Sequence, residues 1–329
     1  MGKPSHVLII LVNWNGKRDT LECLSSLQKV SYRHFTPIVV DNGSTDDSVA
    51  LIRTQFPTVP IFETKENLGF AGGNNVGISW ALKKPYDWVL LLNNDTIVAP
   101  DFLDAFLQAA KERPQAKIFG AKIYRYDEPN RIDHLGGFWH PKIAEFSSPA
   151  KGKIDDGTSF EEGEKVDYVC GACLFMHRSV PEAIGLLEPR FFLLWEESDF
   201  CFRARRSGFE VWTVPKAKIW HKVSASFTGG TPHMEYFWWR SRLLWIERNC
   251  PFPERKKLYQ TIIFPELWKT ARHYALRSLQ NLFRRQTKER RQKMLRYRAG
   301  LLGALHYAFG RFGNCPKSLR KRGKQNRTH

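Results

Sequence analysis

The stretch Trp88-Val89-Leu90-Leu91-Leu92-Asn93-Asn94-Asp95 runs five apolar residues directly into two amides and a carboxylate. An apolar run of that length with no polar alternation reads as a strand covered on both faces, as at the centre of a parallel sheet. A carboxylate just past such a strand is costly to desolvate unless something cationic or polar meets it. Asp95 is therefore a candidate ligand for a hard divalent cation, Mn²⁺ or Mg²⁺, completed by phosphate oxygens and water. The alternative is a helix cap, since Pro100-Asp101-Phe102 opens a helix nearby.

Upstream, the same pattern recurs. Val7–Val12, Thr36–Val40 and Val59–Glu63 read as further strands, separated by amphipathic stretches at Thr20–Gln28, Asp47–Phe56 and Asn74–Leu82. Strands alternating with helices predict an α/β fold with a Rossmann-like, mostly parallel sheet flanked by helices, in which ligands sit beyond the carboxyl ends of the strands. Those ends carry Asn13-Trp14-Asn15-Gly16, Asp41-Asn42-Gly43-Ser44-Thr45-Asp46-Asp47 and Asn67-Leu68-Gly69-Phe70-Ala71-Gly72-Gly73-Asn74-Asn75. Asp41 suits a ribose hydroxyl or a pyrimidine N–H, or it closes an Asx-turn on Asn42-Gly43. The glycines of 67–74 suit close approach of backbone to a ligand and a helix N-terminus that favours an anion, although neither GxxxxGK[ST] nor GxGxxG is present.

Downstream, residues 120–225 read as shorter mixed strands with Gly-, Pro- and charge-rich loops such as 149–164. Trp195-Glu196-Glu197-Ser198-Asp199 crowds three carboxylates beside an indole, so that like charges raise one another's pKa and one becomes a candidate general base. The same acids suit the N-terminus of a helix over Phe200–Gly208. His221, after the apolar Ile219-Trp220, reads by itself as a structural histidine. Cys170-Gly171-Ala172-Cys173 has CxxC spacing without a second Cys or His pair at zinc-site distance, so packed thiols are expected.

The net charge of +18 is unevenly distributed. Residues 1–249 hold 30 Lys+Arg and 30 Asp+Glu, whereas 250–329 hold 21 and 3, an excess equal to that of the whole chain. A neutral body argues against nucleic acid as its substrate, and a basic helical extension argues for an anionic surface as its partner. In that extension Leu267, Ala271, Tyr274, Ser278 and Leu282 form one predicted stripe, and Tyr297, Leu301, Leu305 and Ala308 another, with a disordered end from Pro316. No run of 18 apolar residues is present, the start resembles no export signal, and six scattered cysteines fit a reducing compartment, so a cytoplasmic location is expected.

Taken in order, these motifs resemble those of the family 2 inverting glycosyltransferases of the GT-A fold, and especially their rhamnosyltransferase-like and galactofuranosyltransferase-like branch. Six motifs carry the resemblance across roughly residues 5–245: Val12–Gly16, Val39–Asp46, Glu66–Asn75, Leu92–Asp95, Trp195–Asp199 and Trp220-His221. It implies a glycosyltransferase domain over 1–249, with a nucleotide-sugar half at 1–118 and an acceptor half at 119–249, followed by a membrane-associating region at 250–329. Val12, Trp14, Asn15, Asp41, Asn67, Gly69, Asn74, Asn93, Asn94 and Asp95 would bind the donor, and Asp95 with His221 would hold the metal. Glu197 would be the catalytic base, with Trp195, Glu196 and Asp199 toward the acceptor. Asn93-Asn94-Asp95 stands where that branch has its DXD motif, so the first acid is neutral here, and the base is Glu where relatives have Asp. Metal binding is accordingly expected to depend on the donor's own phosphates. The implied reaction moves a sugar, best rhamnose from dTDP-rhamnose with UDP-sugars as the other donor class, to a lipid-linked or polysaccharide acceptor at the inner face of the cell membrane. A sugar nucleotidyltransferase and a nucleic-acid-binding protein are the competing readings; the first lacks its Arg- and Lys-bearing Gly loop, and the second explains only the tail.

Overall fold

The computed structural model describes residues 4–222, 231–283 and 287–319. They part into two compact units, Met1–Ser224 and Ala225–His329.

In the first unit, β1 (Val7–Asn13), α1 (Lys17–Leu27), β2 (Phe35–Asp41), α2 (Ser48–Gln55), β3 (Ile61–Glu63), α3 (Gly69–Ala81) and β4 (Trp88–Asn93) follow in the alternation expected from the sequence. After them come β5 (Thr96–Val98), α4 (Phe102–Glu112), β6 (Ala116–Arg125), β7 (Ile132–His134), β8 (Phe138–His140), β9 (Glu145–Ser147), β10 (Cys173–His177), α5 (Ser179–Ile184), α6 (Glu196–Arg206) and β11 (Glu210–His221). Among the described residues these strands build a nine-stranded sheet in the order β3-β2-β1-β4-β10-β6-β11-β5, with β7 on β6, and a separate β8–β9 hairpin. β1 pairs in parallel with β2 and β4, β2 with β3 and β6 with β11, whereas β10 runs antiparallel to β4 and β6.

Side chains of β1 alternate between two cores. Val7, Ile9 and Leu11 pack with α1 and α4, including Cys23, Leu27, Phe102 and Phe106. Leu8 and Ile10 pack with α3 and α6, including Ala71, Ile78, Phe200 and Ala204. Burial on both sides is why this strand is continuously apolar.

Two expectations are corrected. Helix α3 begins at Gly69, five residues before the predicted start at Asn74, because its glycines serve packing: a Cβ at Gly73 would lie 2.8 Å from Val12 and one at Gly77 2.7 Å from Ile10. Propensity disfavours the first turn, where a Cβ at Gly69 would lie 2.2 Å from the Phe192 carbonyl, and the packing of the whole helix overrides it. Gly77→Ala is accordingly expected to cost about 2 kcal/mol, lowering the unfolding midpoint by about 6 °C in a calorimetric scan; an unchanged midpoint would contradict this packing. The second correction is partial: β7 to β10 are the short, mixed strands expected over 120–225, whereas β6 and β11 span 10 and 12 residues. Their length was hidden in the sequence by Gly120 and by the irregularity between Val214 and Lys218.

The second unit holds α7 (Pro232–Asn249), α8 (Phe252–Leu258), a π-helical turn (Tyr259–Ile263), α9 (Phe264–Phe283) and α10 (Lys288–Ala308). Residues 232–249, which the sequence reading placed with the first unit, pack here against α10. The contact is made by small residues: a Cβ at Gly300 would lie 2.7 Å from Trp239 and one at Gly303 2.3 Å from the Tyr236 carbonyl. The predicted stripe on α10 is thereby divided, with Tyr297 and Leu301 half-buried and Leu305 and Ala308 exposed. Arg240 and Arg242 are fully buried; Arg240 lies 5.1 Å from the Tyr236 and Phe237 ring centres, and Arg242 donates to Glu266 at 2.6 Å. The end expected to be disordered from Pro316 instead forms a 3₁₀ turn over Lys317–Leu319 with Leu319 buried; residues 320–329 lie outside the described residues. No described helix is long and apolar enough to cross a membrane.

Candidate active site

The carboxyl edge of the sheet gathers the polar motifs because neighbouring strands end in register. Asn13 is opposite Asp41 across β1–β2, and Val12 is opposite Asn93 across β1–β4. The buried Asn13 side chain links them: Nδ2 donates to Asp41 Oδ1 at 2.7 Å, while Oδ1 accepts from Thr20 Oγ1 at 2.9 Å and from Asn94 Nδ2 at 3.4 Å. Asp41 also accepts the Ser44 N–H at 3.0 Å, so the Asx-turn is present, and its carboxylate is positioned as well as buried. Asn15, at φ 52°, accepts the backbone N–H groups of Thr45 and Asp46 and ties the β1 and β2 ends together. Trp14 beside it is half exposed, an open aromatic face at this edge.

The next group forms where β4 turns into β5. Asn94-Asp95 makes the turn, β5 pairs antiparallel with the end of β11, and His221 falls opposite Thr96, next to Asp95. His221 Nε2 faces Asp95 Oδ1 at 3.1 Å and Asn93 Nδ2 at 3.3 Å, and Nδ1 faces Asp133 Oδ2 at 3.8 Å, an ion-pair distance beyond hydrogen bonding. Burial works against a charged imidazole, yet the flanking Asp133 and Asp95 carboxylates hold the His221 pKa up at about 9. Asp95 Oδ1 and His221 Nε2 therefore converge as an ion pair, and a metal ion held between them would take the place of the imidazole proton. No group of three or more His, Cys, Asp or Glu able to hold a metal exists among the described residues. A pair of protein ligands fits a Mn²⁺ or Mg²⁺ ion that draws its remaining ligands from phosphate and water.

The predicted carboxylate cluster occupies the first turn of α6, preceded by Phe192, Leu194 and Trp195 at φ 63°, 69° and 74°. Three non-glycine residues in the left-handed region within four positions are a strained approach, which persists where surrounding structure holds it. Burial pushes both carboxyls up, Glu196 well above the ordinary range and Glu197 to about 7. Glu196 is buried with Oε2 lacking a hydrogen-bond partner, whereas Glu197 is partly open. Asp199, expected toward the acceptor, is fully buried and accepts from Arg203 Nε at 2.9 Å, an ion pair that secures α6. Asn74 likewise turns inward, donating to the Phe70 carbonyl at 3.0 Å. Asn67 accepts from Asn42 and from the Gly69 N–H, and so shapes the start of α3.

The turn 170–172 joins the groups. Asn93 N donates to Ala172 O at 2.9 Å, and a Cβ on the next residue, Gly171, would lie 3.5 Å from Glu197 Cβ and 3.0 Å from the Phe70 ring. Phe70 N in turn donates to Phe192 O at 2.7 Å. The CxxC segment thus serves as a spacer, and all six cysteines are free thiols. Sequence reasoning missed the positions of Asn13, Asp133 and Gly171: Asn13 was visible only as a strand-end amide, while Asp133 and Gly171 carry no local signal of proximity.

This constellation has counterparts. The sequence profile described as Glycosyl transferase family 2 matches residues 8–185. The chain is 27% identical over 264 residues to the N-acetylglucosaminyl-diphospho-decaprenol L-rhamnosyltransferase of Mycobacterium tuberculosis, covering 69% of this chain and 84% of that protein. It is 21% identical over 259 residues to the dTDP-rhamnosyl transferase RfbF of Shigella flexneri, covering 74% and 81%. Among solved structures, the mannosyltransferase PcManGT from Pyrobaculum calidifontis, in complex with GDP-Man and Mn²⁺, superposes with a TM-score of 0.55 at 14% identity over 93% of this chain and 87% of that one, so the fold is shared. With a family profile spanning more than half its length and the strand-end motifs assembled on one sheet edge, this chain belongs to glycosyl transferase family 2 and is a glycosyltransferase of the GT-A fold.

Proposed function

We propose that this enzyme is an inverting glycosyltransferase that moves rhamnose from dTDP-rhamnose to a hydroxyl of a lipid-linked glycan, working from the cytoplasmic face of the cell membrane. The observation that carries the mechanism is the 170–172 turn, which puts Glu197 one residue away from contact with the Asn93-Asn94-Asp95 turn. The names of the two rhamnosyltransferase relatives support the donor and the acceptor class.

In this reading Asp41 and Trp14 hold the base and ribose, and Asn13 and Ser44 keep the Asp41 carboxylate in place. Asp95 and His221 would hold Mn²⁺ or Mg²⁺, which supplies charge neutralisation for the departing diphosphate. Glu197 takes the proton of the acceptor hydroxyl as its oxygen forms the bond to the anomeric carbon and the bond to the diphosphate oxygen breaks. Attack from the face opposite the leaving group inverts the anomeric configuration. Trp195, packed on Trp139 and Phe146 with ring centres 6.4 and 5.3 Å away, walls the acceptor side.

Because Glu197 acts unprotonated and burial raises its pKa to about 7, kcat/KM is expected to climb about tenfold per pH unit below neutrality and to level off above pH 7. An acid limb near the ordinary glutamate value, in a pH–rate profile of nucleoside diphosphate release, would exclude Glu197 as that base. The donor is tested by incubating the protein with Mn²⁺ and dTDP-, UDP- or GDP-sugars, measuring melting temperature and nucleoside diphosphate release. Stabilisation and turnover are expected with dTDP-rhamnose; a response confined to another nucleotide would replace that donor, and pyrophosphate release in a parallel incubation with a nucleoside triphosphate and a sugar 1-phosphate would indicate a nucleotidyltransferase.

A further inference from the structure

Helix α9 presents two unlike faces. One is fixed within the second unit: Glu266 accepts from Arg242 at 2.6 Å, Ser278 Oγ meets Met294 Sδ at 3.9 Å, the His273 and Tyr297 rings are 5.5 Å apart, and Arg277 lies 5.8 Å over Tyr297. The stripe expected from the sequence, Leu267, Ala271, Tyr274 and Ser278, is half-buried. Residues two positions from these inward contacts point about 200° away around the helix. There Phe264, Trp268, Leu276 and Leu279 are 58%, 74%, 48% and 56% exposed, with Lys269 and Arg272 exposed among them. The helix has a single acid, Glu266, and that acid is turned inward onto Arg242. Phe252, 67% exposed, opens α8, which runs through the π-helical turn into α9.

Four large apolar side chains left facing solvent along one helix face mark a partner. Charge decides which one. A face of aromatic and aliphatic groups interleaved with cations and free of acids, in a segment with 21 Lys+Arg against 3 Asp+Glu, complements a surface that is anionic on top and apolar beneath. That describes the headgroup boundary of an anionic bilayer, where Trp and Phe settle at headgroup depth and Lys and Arg reach the phosphates.

We propose that the outward stripe of α9, formed by Phe264, Trp268, Leu276 and Leu279 and flanked by Lys269 and Arg272, lies in the headgroup boundary of an anionic membrane. This deepens the membrane location in the functional reading, which rested on the net charge of 250–329 alone, by assigning the hold to an apolar face. The length of α9, 20 residues with cations along it, suits a helix lying in the plane of the surface.

The test is flotation of the full chain with phosphatidylcholine vesicles, with and without phosphatidylglycerol, at low and high salt. The unsubstituted protein is expected to float with the anionic vesicles and to retain part of its binding at high salt, where charge alone is screened. The double variant Trp268→Asp, Leu279→Asp is expected to bind about tenfold less or weaker still, with an unchanged melting temperature and unchanged transfer to a soluble acceptor; Phe264, whose ring also packs on Tyr259 with centres 5.5 Å apart, is left in place. If the unsubstituted protein fails to float with anionic vesicles, the membrane location itself is wrong. If it floats and the double variant floats equally well, the stripe is refuted while the membrane location stands. If light scattering shows a dimer that the double variant converts to monomer with flotation unaffected, the stripe is a contact between copies, which also overturns the proposal.

Discussion

Glu197→Gln is expected to lower kcat by about 10³-fold while leaving donor affinity within about twofold, because the amide keeps the shape of the side chain and removes the proton acceptor. The placement makes the expectation specific. Glu197 sits in the first turn of α6 with its Cβ against Gly171, and burial has already raised its pKa toward neutrality, the range in which a carboxylate accepts a proton most effectively at physiological pH. Steady-state turnover and calorimetric titration of the donor separate the two effects. A variant that transfers sugar at the unsubstituted rate would remove Glu197 from the chemistry. Equal losses in turnover and donor affinity would assign it to donor binding. Glu196→Gln provides the contrast: burial pushes its carboxyl well above the ordinary range and so favours the neutral form that the amide resembles, and turnover is expected to fall by no more than about tenfold.

Asp95→Asn is expected to cost about 10²-fold in kcat/KM and to abolish the Mn²⁺-dependent part of donor stabilisation in a thermal-shift titration. The size of the effect follows from how few protein ligands converge there. With Asn93 neutral, the proposed site would draw one carboxylate from Asp95 at the β4–β5 turn and one nitrogen from His221, which lie 3.1 Å apart. A site with two protein ligands has little affinity without phosphate, so Mn²⁺ alone is expected to leave the melting temperature unchanged, and Mn²⁺ with a nucleoside diphosphate to raise it. A variant whose donor response to Mn²⁺ matches that of the unsubstituted protein would place the metal elsewhere.

How far these residues could be recognised from sequence depended on whether their signal was local. The alternation of apolar runs and amphipathic segments predicted the parallel core, since burial on both faces forces a strand to be apolar throughout, and the polar residues ending each run pointed to the ligand edge. The order of motifs predicted the family. Helix boundaries were less visible where glycine was concerned: Gly69 lies close against Phe192, and Gly73 and Gly77 against Val12 and Ile10, a benefit of lacking a side chain that exists only once those elements lie beside the helix. Asp199 and Asn74 show the converse. Each is polar and lies in a motif, and each is turned inward to secure its own helix.

The sequence by itself determined the class of fold, the sheet edge where the polar motifs gather, the family and the concentration of charge in the last 80 residues. Those properties follow from burial, periodicity and composition, which are written along the chain. The tertiary structure alone decided which side chains meet. It set His221 between Asp95 and Asp133, brought Gly171 against Glu197, and turned the expected stripe of α9 inward so that Phe264 and Trp268 face out. Contacts between residues distant along the chain depend on strand order and helix rotation. Those are settled by the packing of the whole unit, and no local pattern encodes them.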